Sequence, residues 1–201
     1  MALQIGVLAL QGAFAEHQAV LKRLGASVTQ VRLADELAGL DGLIIPGGES
    51  TTMGKLAVDF GLLEPLRTFG QTHAIWGTCA GAILLSRDAR RAQPLLGLMD
   101  ITVERNAFGR QTESFEADLT INALPEPERP FHAVFIRAPL IESIGPGVQP
   151  LAALPGDFAG RRPGLGGKIV AAQQGRLLAT AFHPELTADD RFHRYFMELA
   201  A

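Results

Sequence analysis

A single cysteine, Cys79, occurs among the 201 residues, and its setting is that of a nucleophile. The run Gly77-Thr78-Cys79-Ala80-Gly81 lies where an apolar strand pattern over 74–78 gives way to a helical one over 80–85. This is the G-x-nucleophile-x-G elbow, with Cys in the place that Ser often takes. So sharp a turn crowds the backbone, which demands small flanking residues. A helix N-terminus offers free N–H groups and partial positive charge. Both favour a thiolate, and both favour the oxyanion that forms when it attacks a carbonyl. Without the elbow, a lone cysteine reads as a small buried apolar residue.

A thiol nucleophile needs a base, and the chain offers five histidines. His17 falls on the first helix and His193 on the last, while His73 and His132 precede strands. His183 differs, because it follows the apolar strand over 177–182 directly and is succeeded by Pro184 and Glu185. Functional groups in open α/β sheets gather at the carboxyl ends of strands. Pro184 restricts His183 to extended geometry, which predicts side chains 183 and 185 on the same side. Glu185 would then hold one imidazole nitrogen and leave the other for Cys79. Taken alone, the same residues read as a strand-end histidine beside a surface glutamate.

A third element is Pro46-Gly47-Gly48-Glu49-Ser50-Thr51-Thr52, again between a strand and a helix. Two glycines let backbone N–H groups approach a ligand, either a phosphate or the oxyanion of an acyl-transfer step. The bland alternative is a tight turn with Ser50 or Thr51 capping the next helix.

The elements that must position these residues alternate in the first half. Strand patterns at 4–10, 27–31, 42–45 and 74–78 are separated by helical patterns, one through Leu24 with Phe14 and Leu21 on its apolar face, then 51–60 and 62–69. The second half is strand-rich, at 101–105, 115–121, 133–136, 149–154, 169–174 and 177–181, and a helix over 189–199 closes the chain. The expected fold is therefore α/β in one domain spanning 1–201. Its central sheet is mostly parallel with helices on both faces, and antiparallel additions come from the second half. Residues 155–167, rich in Gly, Pro and Arg, read as an exposed loop.

Bulk properties exclude several classes. A 47% hydrophobic, 19% charged composition suits a folded globular protein, and a net charge of −3 argues against a nucleic-acid surface. The basic groups at 87–91 and 161–162 are too short to restore one. No apolar run approaches the roughly 20 residues of a bilayer span. One cysteine suits a reducing cytoplasm. The histidines lack metal-ligand spacing, so no metal is expected. Gly164-Leu165-Gly166-Gly167-Lys168 fails as a phosphate loop, because Ile169 stands where Ser or Thr should be.

With the elbow, His183-Pro184-Glu185 and Pro46-Gly47-Gly48, the chain resembles the class I (triad) glutamine amidotransferases, which have a flavodoxin-like fold. Within that group it looks like the glutaminase subunits of pyridoxal 5′-phosphate synthase. The discriminating runs are Gly6-Val7-Leu8-Ala9-Leu10-Gln11-Gly12, residues 46–53, residues 103–111, Phe135-Ile136-Arg137-Ala138-Pro139 and Phe182-His183-Pro184-Glu185-Leu186-Thr187. The resemblance implies that Cys79 attacks the side-chain amide of L-glutamine, His183 moves the protons and Glu185 orients His183. It implies an oxyanion hole from the N–H groups of Gly48 and Ala80. It also implies glutamine contacts from Gly47, Gly48, Glu49, Arg105, Ile136 and Arg137. From the residues alone, Arg105 and Arg137 read as surface or ion-pair arginines.

The resemblance further implies transfer of ammonia to a separate synthase subunit, a TIM-barrel protein in a double ring, with Gln11 and Gly12 at the contact. No cofactor is implied. The alternative is a glutamine amidotransferase serving another pathway. A module that only docks a partner would lack members of the triad, and all three are present. The 155–167 stretch is longer than the short turn expected between its strands.

Overall fold

The computed structural model describes residues 2–105, 114–156 and 165–201. Strand β1 (Gln4–Leu8) leads into helix α1 (Phe14–Arg23), after which Gly25, at φ +87°, turns the chain into β2 (Ser27–Val31). Glycine tolerates this left-handed conformation, so the helix stops there. β3 (Gly42–Ile45), α2 (Ser50–Asp59), α3 (Leu63–Gly70), β4 (Ala74–Thr78) and α4 (Ala80–Leu85) complete the alternating half. Then follow β5 (Ser86–Asp88), β6 (Met99–Glu104), β7 (Phe115–Leu119), β8 (Phe131–Phe135), β9 (Leu140–Ile144), β10 (Gln149–Ala153), β11 (Ile169–Gln174), β12 (Leu177–Thr180) and α5 (Arg191–Ala200).

The main sheet runs β2-β1-β3-β4-β12-β11-β9-β6-β5, with β10 beside β11 and with β7 and β8 forming a separate hairpin. From β2 to β12 every pairing is parallel; β12 to β11, β11 to β9 and β9 to β6 are antiparallel. A mostly parallel sheet with antiparallel additions is therefore the observed fold. The expected strands need correction at several points, among them the end of the 115–121 strand, which stops at Leu119. β1 ends at Leu8, not at residue 10, because its ladder with β2 closes at Leu8 opposite Val31 and the chain then turns. β5 and β9 were not anticipated. β5 is three polar-rich residues, and Glu142 and Ser143 interrupt the apolar signal of β9. Residues 106–111 of the 103–111 run and 157–164 of the expected loop lie outside the described residues. The ends of that loop are tied by reciprocal bonds, Leu154 N–H to Lys168 O (2.9 Å) and Gly167 N–H to Leu154 O (2.9 Å).

Alternation along the strands divides the core between the two faces. In β4, Ala74 and Trp76 join one cluster with Leu21, Phe192 and Phe196, and Ile75 joins the other with Met53, Leu66 and Phe69. Phe192 and Phe196, one helical turn apart on α5, pack against Trp76 with ring centroids 6.0 and 5.7 Å away, the first stacked and the second tilted. Burying each such side chain contributes about 1.5–3 kcal/mol.

Register then sets where chemistry can occur. Ile45 of β3 pairs with Gly77, and Thr78 pairs with Thr180 of β12. The carboxyl ends of three adjacent strands therefore deliver the segments starting at Pro46, Cys79 and Ala181 to one edge of the sheet.

Candidate active site

Cys79 sits between β4 and α4 at φ 49° and ψ −107°, a left-handed conformation that costs a non-glycine residue about 1–3 kcal/mol. Neighbours hold it there: its N–H donates to Thr180 O (2.7 Å) and its carbonyl accepts from Ala82 N–H (3.1 Å). The flanking glycines are needed for space. A Cβ at Gly81 would lie 2.0 Å from Ile45 O, and one at Gly77 would lie 2.5 Å from the Gly81 carbonyl carbon. Ala80 is the first helical residue, so its N–H has no acceptor within the helix.

His183 follows β12 and is fixed through its main chain, its N–H donating to Val134 O of β8 (2.9 Å). The expected extended run over 183–185 is not what brings the two side chains together. His183 itself is fairly extended (φ −109°, ψ 84°), but Pro184–Leu186 is a 3-10 turn that folds Glu185 back beneath the imidazole. His183 Nδ1 and Glu185 Oε1 are 2.7 Å apart, and the Glu185 side chain is fully buried. Nδ1 is thereby engaged, which leaves Nε2 as the nitrogen available to Cys79, which lines the same cavity. Burial by itself lowers the His183 pKa, yet the Cys79 sulfur and the Glu185 carboxylate outweigh it and raise the pKa well above the ordinary value. Burial likewise favours protonated Glu185; the facing His17 and the His183 hydrogen bond outweigh it and hold the carboxylate ionised.

Cys79, Ala80 and His183 line a cavity of about 320 Å³ together with Gly12, Gly47, Gly48, Glu49, Arg105, Ile136 and Arg137. Gly47 has an ordinary backbone and is required for clearance, since a Cβ there would lie 2.4 Å from His183 Cε1 and 3.3 Å from Cys79 Cβ. Gln11 stands behind this loop, its Oε1 accepting from Glu49 N–H (2.7 Å). Gly12, at φ +102°, packs so closely that a Cβ would lie 1.9 Å from Gly47 O, and that oxygen also accepts from Ala13 N–H (3.0 Å). The β1–α1 turn and the Gly47-Gly48 loop are thus one mechanical unit.

The cap of α2 is Glu49, not Ser50 or Thr51. Its longer carboxylate reaches back to accept from Thr51 N–H (3.2 Å) and Thr52 N–H (2.7 Å). Arg105 Nη2 also donates to it (2.7 Å), while Arg105 Nη1 donates to Thr51 Oγ1 (2.7 Å). Partial burial opposes ionisation, but these donors prevail and bring the Glu49 pKa down to about 2. Arg105 is therefore both an ion-pair arginine and a cavity wall. Arg137, in the loop after β8, faces the same cavity from a left-handed backbone (φ 44°).

His17 is a further buried residue of the site, one that its position on the first helix does not single out in the sequence. It is fully buried on α1, with Nε2 lying 3.4 Å from Glu185 Oε2 and 3.2 Å from Thr78 Oγ1. Only the spacing carries a signal: position 17 falls one turn from both Phe14 and Leu21, on the apolar face, where an imidazole must find polar partners.

A model of the SNO glutamine amidotransferase family matches residues 7–201. The chain belongs to this family. Relatives include the pyridoxal 5′-phosphate synthase subunit PdxT of Pelotomaculum thermopropionicum, 58% identical over 198 residues, covering 98% of this chain and 94% of that protein. The subunit of the same name from Deinococcus radiodurans is 54% identical over 205 residues, covering 98% and 97%. A crystal structure described as a glutamine amidotransferase superposes with a TM-score of 0.86 at 50% identity, covering 98% of both chains. Among the described residues of this SNO family member, no helix is long and apolar enough to cross a membrane.

Proposed function

We propose that the chain hydrolyses L-glutamine to L-glutamate and ammonia as the glutaminase subunit of a pyridoxal 5′-phosphate synthase. The observation that carries the chemistry is the imidazole of His183, held by buried Glu185 on one nitrogen and left to Cys79 on the other, at the wall of a cavity with two arginines. The elevated His183 pKa favours an imidazolium beside the Cys79 sulfur, ready to donate its proton. The thiolate attacks the side-chain amide carbon. The N–H groups of Ala80 and Gly48 receive the oxyanion. His183 gives its proton to the amide nitrogen, the C–N bond breaks, and ammonia departs from a γ-glutamyl thioester. Neutral His183 then takes a proton from water as that water attacks the thioester. Collapse releases glutamate and restores the thiolate–imidazolium pair. Glu185 fixes the tautomer and orientation throughout. Arg105, Arg137 and Glu49 have the charges to hold the α-carboxylate and α-ammonium groups, with Gly47 and Ile136 completing the walls.

The names of the relatives support a synthase subunit as the recipient of ammonia, in the TIM-barrel double ring that the resemblance implies. Gln11 and Gly12 suit the contact, because a partner pressing on their turn would act directly on Gly47 and Gly48. The test is ammonia release from glutamine with and without that synthase subunit. Stimulation by it, and not by the synthases of other glutamine amidotransferases, supports the reading; stimulation by another synthase instead would assign the chain to another pathway.

A further inference from the structure

Behind the Cys79–His183–Glu185 line lie two buried histidines that the mechanism above does not use. His17 Nε2 faces Glu185 Oε2 at 3.4 Å and Thr78 Oγ1 at 3.2 Å; on its other side, His17 Nδ1 is 3.0 Å from His193 Nε2. All are inaccessible: His17 and His193 are fully buried, and so is the carboxylate. Glu185 Oε2 makes no hydrogen bond, and His17 Nε2, 3.4 Å away, is the polar atom that faces it.

Only one proton fits between two ring nitrogens 3.0 Å apart, and the surroundings decide its owner. If it sat on His17 Nδ1, neutral His17 would present a lone pair to the Glu185 carboxylate, and His193 would bury an unsatisfied Nδ1–H donor. If it sits on His193 Nε2, His17 carries its proton on Nε2, where it can donate to Thr78 Oγ1 and faces Glu185 Oε2. His193 Nδ1, which has no partner, is then a bare acceptor. The second arrangement avoids both conflicts. Burial lowers the pKa of both rings and so favours their neutral forms; Glu185 and Glu16 oppose this at His17 while His183 assists, and His17 and Arg23 assist at His193.

We propose that His17 is a positioning residue of the triad: its Nε2–H, with the tautomer set by His193, braces the second oxygen of Glu185 and the Thr78 hydroxyl next to Cys79. The inference rests on the triad reading of the site. By tying Glu185 to the end of β4, it holds base and nucleophile in register, although His17 never meets substrate.

The test compares steady-state glutaminase kinetics, with the synthase subunit present, for the wild type, His17→Phe, His17→Gln and Cys79→Ala. Phe retains a ring against Trp76, whose centroid lies 5.6 Å from that of His17, but removes the donor. Gln places an amide N–H near the Nε2 position. His17→Phe should lower kcat about 10- to 100-fold, as expected for one lost bond to a charged acceptor, with KM nearly unchanged. His17→Gln should recover most of that loss. In proton NMR of the free chain, the Nδ1–H resonance of His183 should shift in His17→Phe and return toward its original position in His17→Gln. A wild-type kcat in His17→Phe, or equal damage in both His17 variants, overturns the inference while an inactive Cys79→Ala leaves the triad reading standing. Turnover by Cys79→Ala overturns that reading itself.

Discussion

Gly47 offers a sharp perturbation of the site, because the side chain it lacks is what gives His183 and Cys79 their clearance. An alanine Cβ would stand 2.4 Å from His183 Cε1, 3.0 Å from His183 Nδ1 and 3.3 Å from Cys79 Cβ. Carbon atoms rest about 3.5–4.0 Å apart, so the imidazole or the loop must move by about 1 Å. The imidazole has little room to retreat, since its main-chain N–H is bonded to Val134 O and its Nδ1 to the buried Glu185. A shift of that size breaks the 2.7 Å bond to Glu185 or takes Nε2 away from Cys79. Misplacement by about 1 Å costs on the order of 100-fold in rate. Overpacking costs about 1–3 kcal/mol of stability, a fall of several degrees in Tm for a chain of this size. Gly47→Ala should therefore remain folded in a thermal melt yet lose about 100-fold in kcat for ammonia release at saturating glutamine. Wild-type turnover in a folded Gly47→Ala protein would refute the claim that the observed placement of His183 is the working one.

Other consequences follow from the charges. In Cys79→Ala the raised His183 pKa should fall, because the sulfur that favours the imidazolium is gone while the burial that opposes it remains; histidine NMR titration reads this, and an unchanged pKa would contradict the pairing. Glu49, with a folded pKa of about 2 against 4.5 for the free group, contributes stability above pH 4.5 that is lost as pH falls through that range. Glu49→Gln should flatten this part of the stability–pH curve, measured by denaturant unfolding. The effect should be small, because the side chain is 45% exposed. Arg105→Met should raise KM for glutamine more than it lowers kcat, which steady-state kinetics would separate; a selective fall in kcat would remove Arg105 from substrate binding.

Much of this site was legible because its constraints are local. The glycines around Cys79 report a backbone that no side chain can approach, and His183-Pro184-Glu185 places an acid two residues from a base. Less was legible where tertiary contact decides. Nothing near residue 180 says that β12 inserts beside β4, and only that parallel pairing brings His183 to Cys79. Pro184 signalled a constraint but not its form, and a 3-10 turn achieves what an extended run was expected to do. Glu49 displaced Ser50 as the helix cap because Arg105, far along the chain, makes its carboxylate favourable there. Strand β9 was hidden by Glu142 and Ser143, whose exposed side chains say nothing of the backbone ladder to β6. His17 lay on an apolar helical face, where only the folded structure shows what an imidazole meets.

The central claim is that Cys79 is the atom-bearing nucleophile, activated by His183, and covalent capture tests it most directly. The protein, with its synthase subunit, is treated with a glutamine-derived electrophile and digested for peptide mass spectrometry. The account predicts a single adduct on Cys79, suppressed by excess glutamine and strongly slowed in His183→Asn. Modification at another residue, or undiminished glutamine hydrolysis by protein fully labelled at Cys79, would contradict it.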